Sequence, residues 1–396
     1  DPKEVEKKIG KKLQDSFGET FAEEYEQLEK REDIRLKQTI SAKELFKTFM
    51  KSVVETGMPY VFFRDTVNKL NPNNHKGNIY STQLCTEIAQ NTSPSTFIEE
   101  TEAEGTVNIK YTTGDTVVCN LASINIAKVH TPEEIEKIIP IAMRILDNVI
   151  TLNYYPIKEA EITAKKYRSV GLGFLGLAEY LATHNMMYES AFARDHIDKL
   201  FERYAYTTLQ ASLTLAQERG AYEYFPGSKR SQGILFGKDK GRFEQHSMMK
   251  DQRNTLIDDI QKHGLRFSYH LSPAPNTSTS LVVGTTAGLL PIYKKYFVET
   301  NNVAPSVNVA PNLNAQNTRY YKEYIHMKMT EVINMITTIQ KWIDQSISFE
   351  WMFNPAETSP TELYNYYIQA RQQGIKTIYY VRSMSLEVKE CSSCSG

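Results

Sequence analysis

The chain has 396 residues, 41% of them apolar and 23% charged, and its formal net charge is −1. This length allows two or three domains with a large core, and the composition is that of an ordinary globular protein. The near-zero net charge disfavours a nucleic-acid partner, and no apolar run reaches the roughly 18–20 residues of a membrane span. The cysteines, at positions 85, 119, 391 and 394, are too few for a disulfide framework and favour a reducing, cytoplasmic compartment.

The first 58 residues are predicted to be helical, because Phe21, Tyr25 and Leu28 recur at helical spacing among Glu and Lys. Gly57 and Pro59 end this pattern. Residues 60–63 (YVFF) then predict a short strand. The chain begins at Asp1 with neither an initiator Met nor the apolar core of a signal peptide, so we expect a processed or split product, although an artificially trimmed chain would begin in the same way.

A thiol and a carboxyl group lie two residues apart in residues 81–88 (STQLCTEI), at Cys85 and Glu87. A lone cysteine is poor material for a structural site, whereas a thiol with a nearby base suits one-site chemistry. We expect this segment to be a loop or a bent stretch. Further along, two valines precede Cys119 and predict a buried strand end that brings this cysteine into the interior.

Helical periodicity recurs along much of the remaining chain. Thr131 and Pro132 make a favourable helix start, with Thr as the N-cap and Pro at the first position. The predicted helices cover residues 131–152, 193–219, 249–262, 328–349 and 360–372, and the Gly- and Lys-rich residues 225–241 are predicted to connect two subdomains.

Residues 171–176 (GLGFLG) match the dinucleotide-binding fingerprint. That motif requires a buried strand before it, whereas residues 164–169 (AKKYRS) are polar. Glu189 is near the acidic position of the fingerprint but lies in a polar turn. We therefore prefer the interpretation that the glycines let the following helix pack closely on its neighbours, and a nucleotide-dependent dehydrogenase is the disfavoured alternative.

Residues 272–280 (SPAPNTSTS) combine prolines that end a strand with hydroxyls where a helix can begin. Free backbone N–H groups and hydroxyls at a helix start bind phosphate well. Runs of Ser and Thr are also common as plain caps and turns, so this composition is only moderately specific.

Residues 375–380 (IKTIYY) predict an apolar strand in which Tyr379 and Tyr380 would point to opposite faces. After Arg382 the chain becomes a polar tail without periodicity. Cys391 and Cys394 form a CxxC pair in this tail. A redox dithiol explains the pair better than zinc, which usually takes four ligands.

In this order, these segments resemble the large, catalytic subunit of class I ribonucleotide reductases over nearly the whole chain. The resemblance implies an α/β fold: the second part of a ten-stranded α/β barrel, a smaller α/β region and a flexible C-terminal tail. The implied divisions are a helical segment at 1–58, the barrel part at 59–240, the smaller region at 241–381 and the redox-active tail at 382–396. The motifs are QLCTEI at 83–88, CNLAS at 119–123, PNTST at 275–279, DQSIS at 344–348, KTIYY at 376–380 and the terminal CSSC.

The resemblance implies a role for each of these motifs. Cys85 would carry the thiyl radical that abstracts the ribose 3′ hydrogen, and Glu87 would take the proton of the 3′-hydroxyl. The other implied roles are reduction of the 2′ position by Cys119, phosphate binding by Asn276, Thr277, Ser278 and Thr279, radical transfer by Tyr379 and Tyr380, and re-reduction of the site by Cys391 and Cys394.

The resemblance also implies partners. A tyrosine relay favours class I, in which a small subunit holds the radical-generating metallocofactor and this chain binds neither a metal nor another cofactor. Thioredoxin or glutaredoxin would reduce the tail, and the substrate would be a ribonucleotide. ATP and deoxynucleotide effectors would bind the family's N-terminal half.

Two departures from the family pattern matter. Gln83, which the resemblance implies is a catalytic residue, stands where the family has Asn. Glutamine keeps the amide group but reaches one methylene further. Much of the family's N-terminal half is absent, including the second cysteine of the reducing pair, so Cys119 lacks its partner. We therefore expect a companion polypeptide that supplies the N-terminal half. The alternative is a non-catalytic interaction fragment of the reductase complex.

Overall fold

The computed structural model describes residues 1–235, 249–300 and 305–383. Cys391 and Cys394 lie outside the described residues. The helices are α1 (Pro2–Ile9), α2 (Gly18–Glu29), α3 (Ala42–Thr56), α4 (Arg64–Leu70), α5 (Pro132–Leu152), α6 (Lys158–Tyr167), α7 (Leu177–Thr183), α8 (Ala191–Arg219), α9 (Lys250–His263), α10 (Thr277–Val283), α11 (Met329–Gln340) and α12 (Pro360–Gln373). The strands are β1 (Val61–Phe62), β2 (Thr96–Ala103), β3 (Thr106–Thr112), β4 (Leu121–Asn125), β5 (Gly171–Leu175), β6 (Tyr296–Thr300), β7 (Pro305–Val309), β8 (Trp351–Phe353), β9 (Thr377–Ile378) and β10 (Val381–Ser383).

The strands described by the structure pair two by two. The β4–β5 and β8–β10 pairs are parallel, and β1–β9, β2–β3 and β6–β7 are antiparallel. A parallel bridge between Leu172 and Leu271 places the chain before the 272–280 run beside β5. The α/β class predicted from the sequence is confirmed.

The main hydrophobic core lies between the β4–β5 pair and helices α5, α7, α8 and α11. Helix α5 shows why the sequence folds in this way. Thr131 and Glu134 form a capping box at its start, and its buried residues recur every three or four positions. Burying each large apolar side chain contributes roughly 1.5–3 kcal/mol relative to leaving it exposed. The buried residues of α5 are Ile135, Ile139, Met143, Leu146, Asp147 and Ile150.

The GLGFLG segment is itself a strand. Residues Gly171–Leu175 form β5, all five are buried, and α7 follows directly. A Cβ on Gly171 would lie 2.4 Å from Leu121 Cδ2, and one on Gly173 would lie 3.0 Å from the Ser272 carbonyl oxygen. The glycines therefore allow a strand, not the following helix as predicted, to approach its neighbours closely. In a dinucleotide-binding motif the glycines lie in the loop that follows a strand. In this chain Gly171 and Gly173 lie within the strand itself, so the dinucleotide-binding interpretation is wrong.

Two further sequence predictions need correction. Residues 113–120 form no strand, and Val118 is exposed, because the regular pairing with β5 begins only at Leu121. The helix predicted for 328–349 ends at Gln340. Beyond it, the Asp344 carboxylate accepts hydrogen bonds from the backbone N–H groups of His270 and Leu271 at 3.0 and 2.8 Å. These tertiary bonds hold the segment in an extended path instead of a helix.

This extended segment is the element that assembles the candidate site. The Ser346 N–H donates to the Glu87 carbonyl oxygen at 2.9 Å, and the Ser348 N–H donates to the Pro273 carbonyl oxygen at 3.1 Å. Its Phe349 carbonyl oxygen accepts from the Tyr379 N–H at 2.9 Å. Residues 344–351 thus join the cysteine loop, the 272–280 run and the tyrosine pair.

Candidate functional site

The Cys85 loop is a tight turn stabilised by Gln83. The Thr86 N–H donates to the Gln83 carbonyl oxygen at 3.1 Å, and Thr86 has a φ of 69°, in the left-handed region. The side-chain oxygen of Gln83 accepts from the Ile88 N–H at 2.9 Å. Gln83, predicted as a catalytic residue, therefore holds the loop that presents Cys85 and Glu87.

Glu87 is a buried carboxyl group, 2% exposed, with polar neighbours on each side. The Ser348 hydroxyl oxygen lies 2.9 Å from Glu87 Oε2 and 2.6 Å from the Cys85 carbonyl oxygen. Burial raises the pKa of Glu87, while hydrogen bonds from its own backbone, Ser348 and Gln83 oppose this rise. A carboxyl group with a raised pKa is a stronger base once ionised, as general-base chemistry requires.

Cys85 is half-buried, and its sulfur faces a phenol. The Tyr379 hydroxyl donates to Cys85 Sγ at an O–S distance of 3.6 Å. Burial, followed by this hydrogen bond, raises the pKa of Tyr379 well above its usual value. The phenol therefore stays protonated near neutral pH, with its hydrogen directed at the sulfur.

Tyr379 and Tyr380 lie side by side, with ring centroids 4.5 Å apart and an interplanar angle of 56°. The prediction that they point to opposite faces of a strand is wrong, because β9 ends at Ile378 and both tyrosines lie between β9 and β10. Their rings share a small cluster with Tyr60, at centroid distances of 4.8 and 4.9 Å. This tyrosine cluster contacts Cys85 through the Tyr379 hydroxyl.

Cys119 lies close to the same centre but is exposed, contrary to the predicted interior position. Partial loss of hydration raises the pKa of its thiol, and electrostatic interactions with Glu87 and Cys85 raise it further. The cause of the exposure is local: Cys119 precedes β4 in an irregular segment and faces a cavity of about 200 Å³ whose lining includes Val117 and Tyr154.

The predicted phosphate-binding residues divide into two groups. Asn276 has a left-handed backbone, and its side-chain oxygen accepts from the Ser123 hydroxyl at 3.0 Å, so this side chain stabilises the loop. Thr277, Ser278 and Thr279 are exposed at the start of α10. A cavity of about 250 Å³ adjoins Thr277 but is not lined by Ser278 or Thr279, and its lining includes Pro275, Thr277, Ser280, Ser348, Glu350 and Tyr379.

An ion-pair network lies beside Tyr380. Arg382 pairs with Glu350, which also accepts a hydrogen bond from the Tyr293 hydroxyl. The Arg382 guanidinium carbon lies 5.8 Å from the Tyr380 ring centroid, close enough for a cation–π interaction. The sequence predicted no functional role for Arg382, Glu350 and Tyr293. The same is true of Ser348 and Tyr60, because segments that are far apart in the chain bring all these residues to the site.

Residues 1–235, 249–300 and 305–383 contain no group of at least three His, Cys, Asp or Glu side chains placed to hold a metal ion. Within the same ranges, no helix is long and apolar enough to cross a membrane.

A thiol that faces a tyrosine hydroxyl and lies close to a buried carboxyl group is suited to thiol-based redox chemistry. Tyr379 and Ser348, the contacts of these two groups, line the neighbouring cavity. Comparison with known proteins is consistent with this class. A family model described as the ribonucleotide reductase barrel domain matches residues 1–381, and the chain belongs to that family.

Three relatives share the description ribonucleoside-diphosphate reductase subunit alpha. The Treponema pallidum protein is 37% identical over 402 residues, covering 100% of this chain and 46% of its own length. The Synechocystis protein is 37% identical over 398 residues (97% and 49%), and a Helicobacter pylori protein is 34% identical over 426 residues (96% and 54%). The chain thus spans about half the length of the curated relatives it matches.

Proposed function

We propose that this chain forms the catalytic centre of a class I ribonucleoside-diphosphate reductase α subunit. The observation that carries the proposal is the contact between the Tyr379 hydroxyl and Cys85 Sγ at 3.6 Å, with the buried Glu87 two residues away. Family membership and the names of the relatives support the same activity.

The first step is radical entry. A small subunit that holds the metallocofactor would remove one electron and one proton from Tyr380, and the resulting Tyr380 phenoxyl radical would take the hydroxyl hydrogen atom of Tyr379, whose ring lies 4.5 Å away. The Tyr379 phenoxyl radical then takes a hydrogen atom from the Cys85 thiol, which restores the phenol and leaves a thiyl radical. The short O–S distance supports this transfer, since hydrogen transfer requires close, aligned partners.

The second step is activation of the ribose. The Cys85 thiyl radical abstracts the 3′ hydrogen atom, and the Glu87 carboxylate accepts the proton of the 3′-hydroxyl. Loss of the 2′-hydroxyl as water is thereby eased. The position of Glu87 in the same turn as Cys85 suits a general base, because one bound sugar can contact both side chains.

The third step is reduction. Cys119 and a second thiol supply two electrons and two protons and become a disulfide, and Cys85 returns the hydrogen atom to C3′, which restores the thiyl radical. The balance is ribonucleotide plus dithiol to deoxyribonucleotide plus disulfide plus water. The Cys391–Cys394 dithiol then reduces that disulfide and is itself reduced by thioredoxin or glutaredoxin.

The remaining parts of the proposal concern binding. Thr277, Ser278 and Thr279 would contact the substrate phosphates at the cavity beside Tyr379, while Asn276 keeps their loop in place. A companion polypeptide would supply the second reducing thiol and the sites for ATP and deoxynucleotide effectors. The thiols must stay reduced, so we place the protein in the cytoplasm.

Reconstitution tests the proposal. The chain is combined with a polypeptide for the remaining part of the α subunit, the small subunit, dithiothreitol and a ribonucleoside diphosphate, and deoxyribonucleotide formation is measured. Cys85→Ser should abolish turnover. The matched control is Cys391→Ser, whose defect excess dithiothreitol should largely rescue.

Two outcomes would contradict parts of the proposal. Absence of turnover in every combination would favour the non-catalytic interaction fragment. Full turnover without the companion polypeptide would disprove the need for a second chain.

A further inference from the structure

We propose that Tyr60 is a positioning residue of the radical relay, whose ring and hydroxyl hold Tyr379 and Tyr380 in the arrangement that directs the Tyr379 hydroxyl at Cys85. This inference rests on the relay function proposed above. It adds a third tyrosine, 25 residues before the cysteine, to a pathway otherwise made of two.

The backbone places Tyr60 opposite Tyr379. Strands β1 and β9 are antiparallel, with Val61 paired to Ile378 and Phe62 paired to Thr377. One step further in the same register, just beyond the ends of both strands, Tyr60 lies opposite Tyr379, the relation in which side chains of paired strands contact each other. Their ring centroids are 4.8 Å apart.

The backbone before Tyr60 fixes the position of Tyr380, the second relay tyrosine. The Val381 N–H donates to the Gly57 carbonyl oxygen at 3.1 Å, so the end of α3 is bonded to the residue after Tyr380. A Cβ on Gly57 would lie 3.0 Å from the Val381 carbonyl oxygen, which shows how close the two backbones are. Tyr60 then meets Tyr380 edge to face, at 4.9 Å and 83°.

The hydroxyl of Tyr60 adds to this ring packing. Burial, then hydrogen bonding with Tyr380, raises the pKa of Tyr60, and electrostatic interaction with Cys85 raises it further, whereas hydrogen bonding with Tyr379 lowers it. The Tyr60 hydroxyl is therefore close to the hydroxyls of both relay tyrosines. Tyr379 has a single hydroxyl hydrogen, so its direction depends on the acceptors around it.

Tyr60 is absent from the lining of the 250 Å³ cavity, whereas Tyr379 is part of that lining. A positioning role therefore predicts a specific kinetic signature. Changes at Tyr60 should lower kcat and leave the KM for the nucleotide unchanged, because substrate contacts are retained while radical transfer is misaligned.

The first experiment needs no turnover. 3-Fluorotyrosine is placed at position 379 or 380 of the full chain, and ¹⁹F NMR spectra are compared for the parent, Tyr60→Phe, Tyr60→Leu and Tyr366→Phe. Tyr366 is a half-buried tyrosine of α12 that packs against the main core, and it serves as the matched control. Both resonances should shift in the Tyr60 variants and stay in place in the control.

The second experiment uses the reconstituted complex. Tyr60→Phe should lower kcat about tenfold, the size expected from losing one partly buried hydrogen bond, with KM unchanged. Tyr60→Leu should lower kcat further, and Tyr366→Phe should match the parent.

The two experiments separate the two proposals. Unshifted resonances in both Tyr60 variants, or a parental kcat in an active complex, would overturn the role of Tyr60. An inactive parent complex would instead overturn the proposed function and, with it, the relay on which Tyr60 acts.

Discussion

Ser348 and Glu87 are hydrogen-bonded at 2.9 Å although 261 positions separate them in the chain. The same serine hydroxyl lies 2.6 Å from the Cys85 carbonyl oxygen. A single side chain from the extended segment thus contacts both the proposed base and the backbone of the proposed radical cysteine. Ser348 therefore links the extended segment to both residues of the proposed site.

Replacement of Ser348 by alanine should weaken catalysis and shift its pH dependence. The serine hydrogen bond lowers the pKa of Glu87 against the larger effect of burial, so its loss should raise that pKa further. The limb of the kcat profile that rises with pH should therefore move to higher pH, and kcat at neutral pH should fall about tenfold. Ser348→Thr, which keeps the hydroxyl, is the control. An unshifted profile in Ser348→Ala would contradict the contact.

Replacement of Glu87 by glutamine should abolish turnover and stabilise the fold in a pH-dependent manner. The folded-state pKa of Glu87 lies above its ordinary value of 4.5, so the folded protein retains a proton that the unfolded chain releases. Stability of the parent therefore falls as pH rises from the ordinary pKa to the raised one, and stays lower above it. The Glu87→Gln variant has no carboxyl group at this position and therefore does not lose stability over this pH range.

Thermal unfolding measured from pH 4 to pH 8 checks this expectation. The melting temperatures of Glu87→Gln and the parent should agree at pH 4, and the variant should melt higher at pH 8. A variant that melts lower than the parent at pH 8 would show that the Glu87 carboxylate stabilises the fold when ionised.

Gln83 should be exchangeable with the family's asparagine at small cost. Its side-chain oxygen accepts the Ile88 N–H at 2.9 Å, and Ile88 is 2% exposed. Asparagine retains the acceptor with a shorter reach, so Gln83→Asn should stay within about threefold of the parent kcat. Gln83→Leu leaves a buried N–H unsatisfied and should lose about tenfold. An asparagine variant far more active than the parent would show that glutamine is a poor substitute.

Local patterns in the sequence were sufficient for several elements. Helix α5 starts at the predicted cap, α8 ends at Arg219 as predicted and is capped by Gly220, and the strand predicted at 60–63 exists as β1. Each depends on interactions within a few residues: a capping box, an apolar stripe or a glycine stop. The proximity of Cys85 and Glu87 in one turn also follows from their spacing in the sequence.

The features that were not predicted from the sequence depend on tertiary contacts. Helix α11 stops at Gln340 because Asp344 bonds to residues 270 and 271, and nothing near Gln340 in the sequence signals this. The glycine strand was not predicted as a strand, because the periodicity of its sequence is uninformative when every residue is buried. Tyr60 and Ser348 acquire their places from partners hundreds of residues away.

Gly173 should tolerate no side chain, because the site is packed directly against it. A Cβ there would lie 3.0 Å from the Ser272 carbonyl oxygen, 3.1 Å from Ser123 Oγ and 3.2 Å from Pro273 Cα. Two of these atoms belong to backbone that cannot move alone, so Gly173→Ala should lower the free energy of unfolding by about 1–3 kcal/mol. The displacement should also reach the site, since the Ser272 hydroxyl donates to the Glu87 carbonyl oxygen at 2.8 Å.

Chemical denaturation together with the reconstituted assay tests both effects. Gly284 provides the contrast: a Cβ on this residue would have no neighbour within 4 Å, but its φ is +67°. Gly284→Asn should be nearly neutral because asparagine tolerates the left-handed region, whereas Gly173→Asn should be worse than Gly173→Ala. Parental stability in Gly173→Ala would mean that the strand can move away from the 272–273 backbone, and the rigid support proposed for Glu87 would then be wrong.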